Sequence, residues 1–146
     1  MPNPTDPIID IFYRAFAGET GLLSTAVSED WEDIPAAPGQ GPGPNGALPV
    51  IDSLVRAIAD LEIVVHDLVD GRDGHGNGVV ATRCELRGTH TGELMGMEPS
   101  GRRITMAIHE FHQMENNRIR RTWHLEDWMG FRRQAESPSP GLDATV

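Results

Sequence analysis

The sequence predicts an α+β fold, with three N-terminal helices packed on one face of a curved antiparallel sheet. Apolar residues recur at helical spacing ahead of Leu61, and the chain beyond it reads as four runs of β-rich or alternating character. A chain of 146 residues buries about 70 % of the surface its unfolded form exposes, which suffices for one core.

The elements follow in order. Asp6 stands as N-cap before Pro7, whose missing donor costs nothing at the first helical position. Ile8, Ile11, Phe12, Ala15 and Phe16 then form a helical face, and Gly18 closes it. A short second helix is expected over Leu22 to Val27, leading into Ser28-Glu29-Asp30-Trp31. Pro35 to Pro49 is rich in proline and glycine and reads as a loop. Pro49 is expected to start the third helix, with Ile51, Leu54, Val55 and Ile58 as its apolar stripe. Strands are expected at Leu61 to Val69, Val79 to Arg87, Arg102 to Met114 and Arg118 to Met129. Residues 1–134 form one domain in this reading. Residues 135–146 form a flexible tail, because Ser137-Pro138-Ser139-Pro140-Gly141 blocks regular hydrogen bonding.

Composition narrows the function. With 22 acidic against 12 basic side chains and a formal charge of -10, the chain would repel a phosphate backbone, so a nucleic-acid partner is excluded. No run reaches the roughly 20 apolar residues of a membrane span, and the N-terminus lacks a signal core, so a cytoplasmic protein is expected. The single cysteine, Cys84, sits in an alternating segment where a small buried hydrophobe fits. The glycine-spaced stretch from Gly71 to Gly78 joins two strands and opens no helix, so it reads as a mobile hairpin loop. His109-Glu110-Phe111-His112 places its histidines on opposite faces of a strand, which argues against a metal site.

The segment Arg87-Gly88-Thr89-His90-Thr91-Gly92-Glu93-Leu94-Met95-Gly96-Met97-Glu98-Pro99-Ser100-Gly101-Arg102 resembles a long signature stretch of SnoaL-like polyketide cyclases. Trp123-His124-Leu125-Glu126-Asp127-Trp128-Met129-Gly130 is similar to their closing strand. The resemblance covers about residues 7 to 134. It implies the nuclear-transport-factor-2-like fold, a cystatin-like α+β barrel with a cone-shaped pocket for an apolar small molecule. It also implies acid/base chemistry without a cofactor, a homodimer or homotetramer, and a catalytic aspartate at Asp127. Departures occur at Asn116-Asn117, Arg121 and Ile34. Isomerases, epoxide hydrolases and non-catalytic binding or dimerisation modules share the superfamily, so fold alone does not choose the reaction.

A type I′ turn at Asn116-Asn117 would pair Glu115 with Arg118 and, counting outward, Met106 with Asp127, Ile108 with Leu125, Glu110 with Trp123 and His112 with Arg121. Asp127, Leu125, Trp123, Met106, Ile108, Glu110 and His112 would then share one face, and His109, His124, Glu126 and Phe111 the other. A single β-bulge would exchange parts of the two sets. In this reading Asp127 is the base, with His90 or His112 assisting. Tyr13, Trp31, Met106, Ile108, Glu110 and Trp123 line the substrate pocket.

Overall fold

A computed structural model of the chain describes residues 6–137. Helix α1 (Pro7–Phe16) begins as its sequence dictates, with the Asp6 carboxylate accepting from the Ile8 and Ile9 amides. A 3₁₀ turn (Thr20–Leu22) leads into α2 (Leu23–Ala26), and β1 (Val27–Ile34) follows. Helix α3 spans Gly43–Ala57. Four long strands come next: β2 (Ile58–Arg72), β3 (Gly78–His90), β4 (Arg103–Glu115) and β5 (Arg118–Glu126). Helix α4 (Trp128–Glu136) ends the described chain.

The sheet order is β1-β5-β4-β3-β2. Its last four strands form the expected antiparallel succession, and β1 adds to the edge parallel to β5. Strand β1 escapes sequence reading because Ser28-Glu29-Asp30-Trp31-Glu32-Asp33 is rich in residues that strands disfavour. Its acids face the arginines of β5: Arg120 lies 3.2 Å from Asp30 and 3.3 Å from Glu32.

Further boundaries differ from expectation, and Ile58, expected in the apolar stripe of the third helix, opens β2 instead. Helix α3 starts six residues before Pro49, with Pro44 in its first turn and Pro49 inside it. Gly46 makes that possible, since a Cβ there would lie 1.8 Å from the Gly41 carbonyl oxygen of the incoming loop. The strand expected to reach Met129 ends at Glu126, because Asp127 caps a fourth helix that continues to Glu136, past the expected start of the tail. The rest of that expected tail, residues 138–146, lies outside the described residues. The glycine-rich connection between β2 and β3 is held by hydrogen bonds: Asp73 accepts from the His75 and Asn77 amides, and Asn77 accepts from the Asn116 amide.

Residues of even number on β3 and β4 are buried and face the helices, where Phe12, Trp31, Ile51, Leu86, Ile104 and Phe131 belong to one continuous core. The odd-numbered set faces outward. At the end of β4, where β5 no longer pairs, Gln134 of α4 substitutes for a strand. Its amide accepts from Thr105 N–H at 2.9 Å and donates to Thr105 C=O at 2.7 Å.

Candidate active site

Position on the inner face is decided by one irregularity. Both Asn116 and Asn117 have positive φ, as a type I′ turn requires, and Glu115 pairs with Arg118 as expected. Beyond Met114 the register slips, so that Gln113 pairs with Arg121, His112 with Thr122, Glu110 with His124 and Ile108 with Glu126. Without this bulge the Arg121 guanidinium would lie in the core beside fully buried His112, at a heavy desolvation cost. With it, Arg121 turns to Gln113 and Glu32 at the surface, and the smaller Thr122 takes the interior position. The expected face assignment of β5 is therefore corrected: Thr122, His124 and Glu126 face inward, and Trp123 and Leu125 face outward.

The inner face holds a buried polar network. Tyr13 of α1 donates to Glu110 Oε1 at 2.6 Å, and its hydroxyl lies 2.6 Å from Thr82 Oγ1 and 2.9 Å from His112 Nε2. His112 Nδ1 is 2.9 Å from Thr122 Oγ1, which accepts from the Trp31 indole at 3.1 Å. Phe12 packs edge-on against the His112 ring at 4.9 Å between centroids. Burial lowers the His112 pKa to about 3, so the imidazole is neutral and its 3.7 Å approach to Glu110 is no ion pair. Burial raises Glu110 to about 7, although the Tyr13 hydrogen bond and the charge of His124 pull the other way. Burial and the neighbouring Glu110 charge raise Tyr13 well above its ordinary value.

A second cluster adjoins Glu110 across the β4–β5 pair. His124 Nδ1 is 2.8 Å from Glu126, and Nε2 is 2.7 Å from the Pro35 carbonyl and 3.4 Å from Asp33. Partial burial works against a charge on this ring, but the Glu126 carboxylate, Asp33 and the Pro35 carbonyl outweigh it and raise its pKa to about 9. His124 is therefore an imidazolium at neutral pH, with both N–H groups engaged. Burial also raises Asp33, against the hydrogen bond from Gln40 and the charge of His124. Ile63, Val65 and Leu68 of β2, half-buried, and Ile108 of β4, buried, give the same face an apolar wall.

Of the residues singled out from sequence, Tyr13, Glu110 and His112 are joined directly, and Trp31 joins them through Thr122. Met106 and Ile108 lie on the same strand face. Three residues are placed elsewhere. Trp123 is on the outer face, 38 % exposed. His90 is fully buried at the opposite end of β3, bonded to Ser100 and packed on Phe131. Eight residues of strand separate it from Thr82, roughly 26 Å at about 3.3 Å each. Asp127 is exposed and caps α4, accepting from Gly130 N–H at 2.9 Å. It lines a cleft with the outward-facing Glu85, Thr105 and Ala107 and with Arg133 and Gln134 of α4. Sequence reading missed Thr82, Thr122, Asp33, His124 and Glu126 as inner-face groups. The signal that could have found the last two is Arg121, a charge that strict alternation would bury.

A curved sheet covered on one face by helices, with a polar network buried between them, defines a small α+β domain. The sequence model of the SnoaL-like polyketide cyclases matches residues 8–135, and the chain belongs to this family. Among solved structures, TsrD from Streptomyces laurentii is 21 % identical over 90 % of this chain and 94 % of that one, with a TM-score of 0.77. IdmH from Streptomyces antibioticus, a candidate polyketide cyclase, is 28 % identical over 88 % of this chain and 95 % of that one, with a TM-score of 0.68. AclR from Streptomyces galilaeus, a candidate hydroxylase, is 17 % identical over 95 % and 87 %, with a TM-score of 0.71. No curated protein sequence matches the chain. Among the described residues, no helix is long and apolar enough to cross a membrane.

Proposed function

We infer that the protein is an acid/base enzyme that closes a ring in a polyketide-like, apolar small molecule by an aldol-type step, with Glu110 as its base. The observation that carries this reading is the placement of Glu110. Its carboxyl group is buried, titrates near neutrality, is held through one oxygen by Tyr13 and shares the inner sheet face with Leu68 and Ile108. A base with a pKa near the working pH combines a useful ionised fraction with a strong pull on the proton.

Glu110 takes a proton from a carbon between two carbonyls, and the charge left on the enolate lies near the His124 imidazolium. The enolate carbon attacks a second carbonyl of the same molecule, and one C–C bond forms. The new alkoxide takes the proton back, so atoms and charge balance without an electron carrier. The apolar wall holds the chain folded and converts reach into proximity. Asp127, which the family resemblance implied as base, is not placed against that wall, and this reading assigns it to the start of α4.

The test is solvent deuterium exchange at the acidic carbon of a 1,3-dicarbonyl polyketide analogue, followed by NMR. Wild type exchanges that position and Glu110→Gln does not; equal exchange by both would overturn the assignment, and no exchange by either would favour a binding module.

The same reading includes a homodimer through the outer sheet face. Val69, Ala81, Phe111 and Trp123 stand in one register row across β2, β3, β4 and β5, and Val69, Phe111 and Trp123 are 68 %, 54 % and 38 % exposed. Leu125, 75 % exposed, lies two residues further along β5 on the same outer face. Sedimentation of wild type as a dimer and of Phe111→Lys as a monomer would support this interface; a monomeric wild type at high micromolar concentration would remove it.

A further inference from the structure

Five side chains from four elements form one unbroken line of hydrogen bonds: Trp31 of β1, Thr122 of β5, His112 and Glu110 of β4, and Tyr13 of α1. The direction of that line follows from what each group can donate. The Trp31 indole only donates, so Thr122 Oγ1 accepts from it at 3.1 Å. Thr122 is fully buried, and among the described residues its hydroxyl bonds only to Trp31 and His112. Its own proton therefore goes to His112 Nδ1, 2.9 Å away. A neutral ring that accepts at Nδ1 carries its proton on Nε2, which donates to the Tyr13 oxygen at 2.9 Å. With the Thr82 hydroxyl donating to the same oxygen, Tyr13 gives its proton to Glu110 Oε1. Run in reverse, the line would strand the Thr122 proton without an acceptor in either state of Glu110, and ionised Glu110 Oε1 without a donor, and burial penalises both.

We propose that this relay runs one way, with Thr122 and His112 as positioning residues: Thr122 holds His112 in the Nε2–H tautomer, and His112 commits the Tyr13 hydroxyl to Glu110. Oε2 of Glu110, which has no partner among the described residues, is then the oxygen left for substrate. The base is aimed by groups that never touch the reacting atoms. The titratable groups facing the relay are Cys84 of β3, Asp33 of β1 and His124 and Glu126 of β5, and none of them bonds to His112.

The catalytic meaning of the relay rests on the reading of Glu110 as base, but its direction does not, so the test needs no substrate. Imidazole ¹⁵N NMR of the intact protein near neutral pH reads which His112 nitrogen carries the proton. The expected result is a pyridine-like Nδ1 and a pyrrole-like Nε2; a proton on Nδ1 would overturn the proposal. In Thr122→Val the Nδ1 resonance should move toward that of an unbonded pyridine-like nitrogen, and Thr122→Ser should leave it in place. An Nδ1 resonance indifferent to Thr122→Val would remove Thr122 from the relay. Tyr13→Phe should move the carboxyl titration of Glu110 above its midpoint near 7, and an unchanged midpoint would break the last link.

Discussion

Glu110 and Asp127 are the two carboxylates that sequence reading brings to one apolar face, and the fold treats them in opposite ways. Glu110 is buried at mid-strand, bonded to one phenol and opposed across the strand pair by an imidazolium. Asp127 is exposed at the point where the chain leaves the sheet, and its oxygen satisfies a backbone amide at the start of α4. Desolvation tunes a carboxyl group for proton transfer, and a helix cap uses its charge for backbone structure. A motif places an acid in the chain; its surroundings decide which of these it does.

The largest expected effect separates the two directly. Glu110→Gln keeps the shape of the side chain and an oxygen for the Tyr13 hydroxyl but removes the base, so turnover should fall by about two to four orders of magnitude. Asp127→Asn should leave turnover within about threefold of wild type, because asparagine is nearly as good an N-cap. Steady-state kinetics on an identified substrate checks both. If the losses were reversed, catalysis would lie in the cleft beside α4 and the inner-face network would be structural.

The pH profile sharpens the contrast. Rate should rise as Glu110 ionises through about 7 and fall as His124 loses its proton through about 9, giving a bell. In Glu110→Gln the acid limb should disappear. Stability carries the same signature with a fixed sign. Because the folded pKa of Glu110 lies above the unfolded value of 4.5, the native state binds its proton more tightly, and stability is lost as pH rises from 4.5 through about 7. Glu110→Gln should match wild type below that window and exceed it above by up to roughly 3 kcal/mol. Thermal melts across pH, without substrate, check this.

Much of the fold was legible because local chemistry and tertiary structure agree. The Asp6 cap, the α1 face and the Asn116-Asn117 turn follow from the sequence as read. The placement of His109 outside and His112 inside follows from strand alternation alone. Reading broke down where tertiary structure overrides a local rule. Strand β1 is acidic, but the arginines of β5 compensate its charge. Helix α3 runs through Pro49 instead of beginning there. Extending β5 to Met129 concealed α4, although Trp128, Phe131 and Ala135 recur at helical spacing after a capping aspartate. The one-residue bulge mattered most, since it moved His124 and Glu126 onto the inner face and Trp123 off it. Its cause is the cost of burying Arg121, which strict alternation had ignored.

The smallest effect expected concerns Asp127 alone and tests whether its role ends at the cap. Replacing it with alanine removes the acceptor for Gly130 N–H, and loss of such a cap costs about 1 kcal/mol. The cost should stay local, because α4 is also held by buried Phe131 and by the two hydrogen bonds between Gln134 and Thr105. Asp127→Ala should therefore lower the melting temperature by a few degrees, while Asp127→Asn restores most of the loss. Activity at a temperature where both variants are folded should follow wild type. A stability loss that asparagine failed to restore would mean the charge of Asp127 is needed, and the cleft it shares with Glu85, Arg133 and Gln134 would become the next place to seek a ligand.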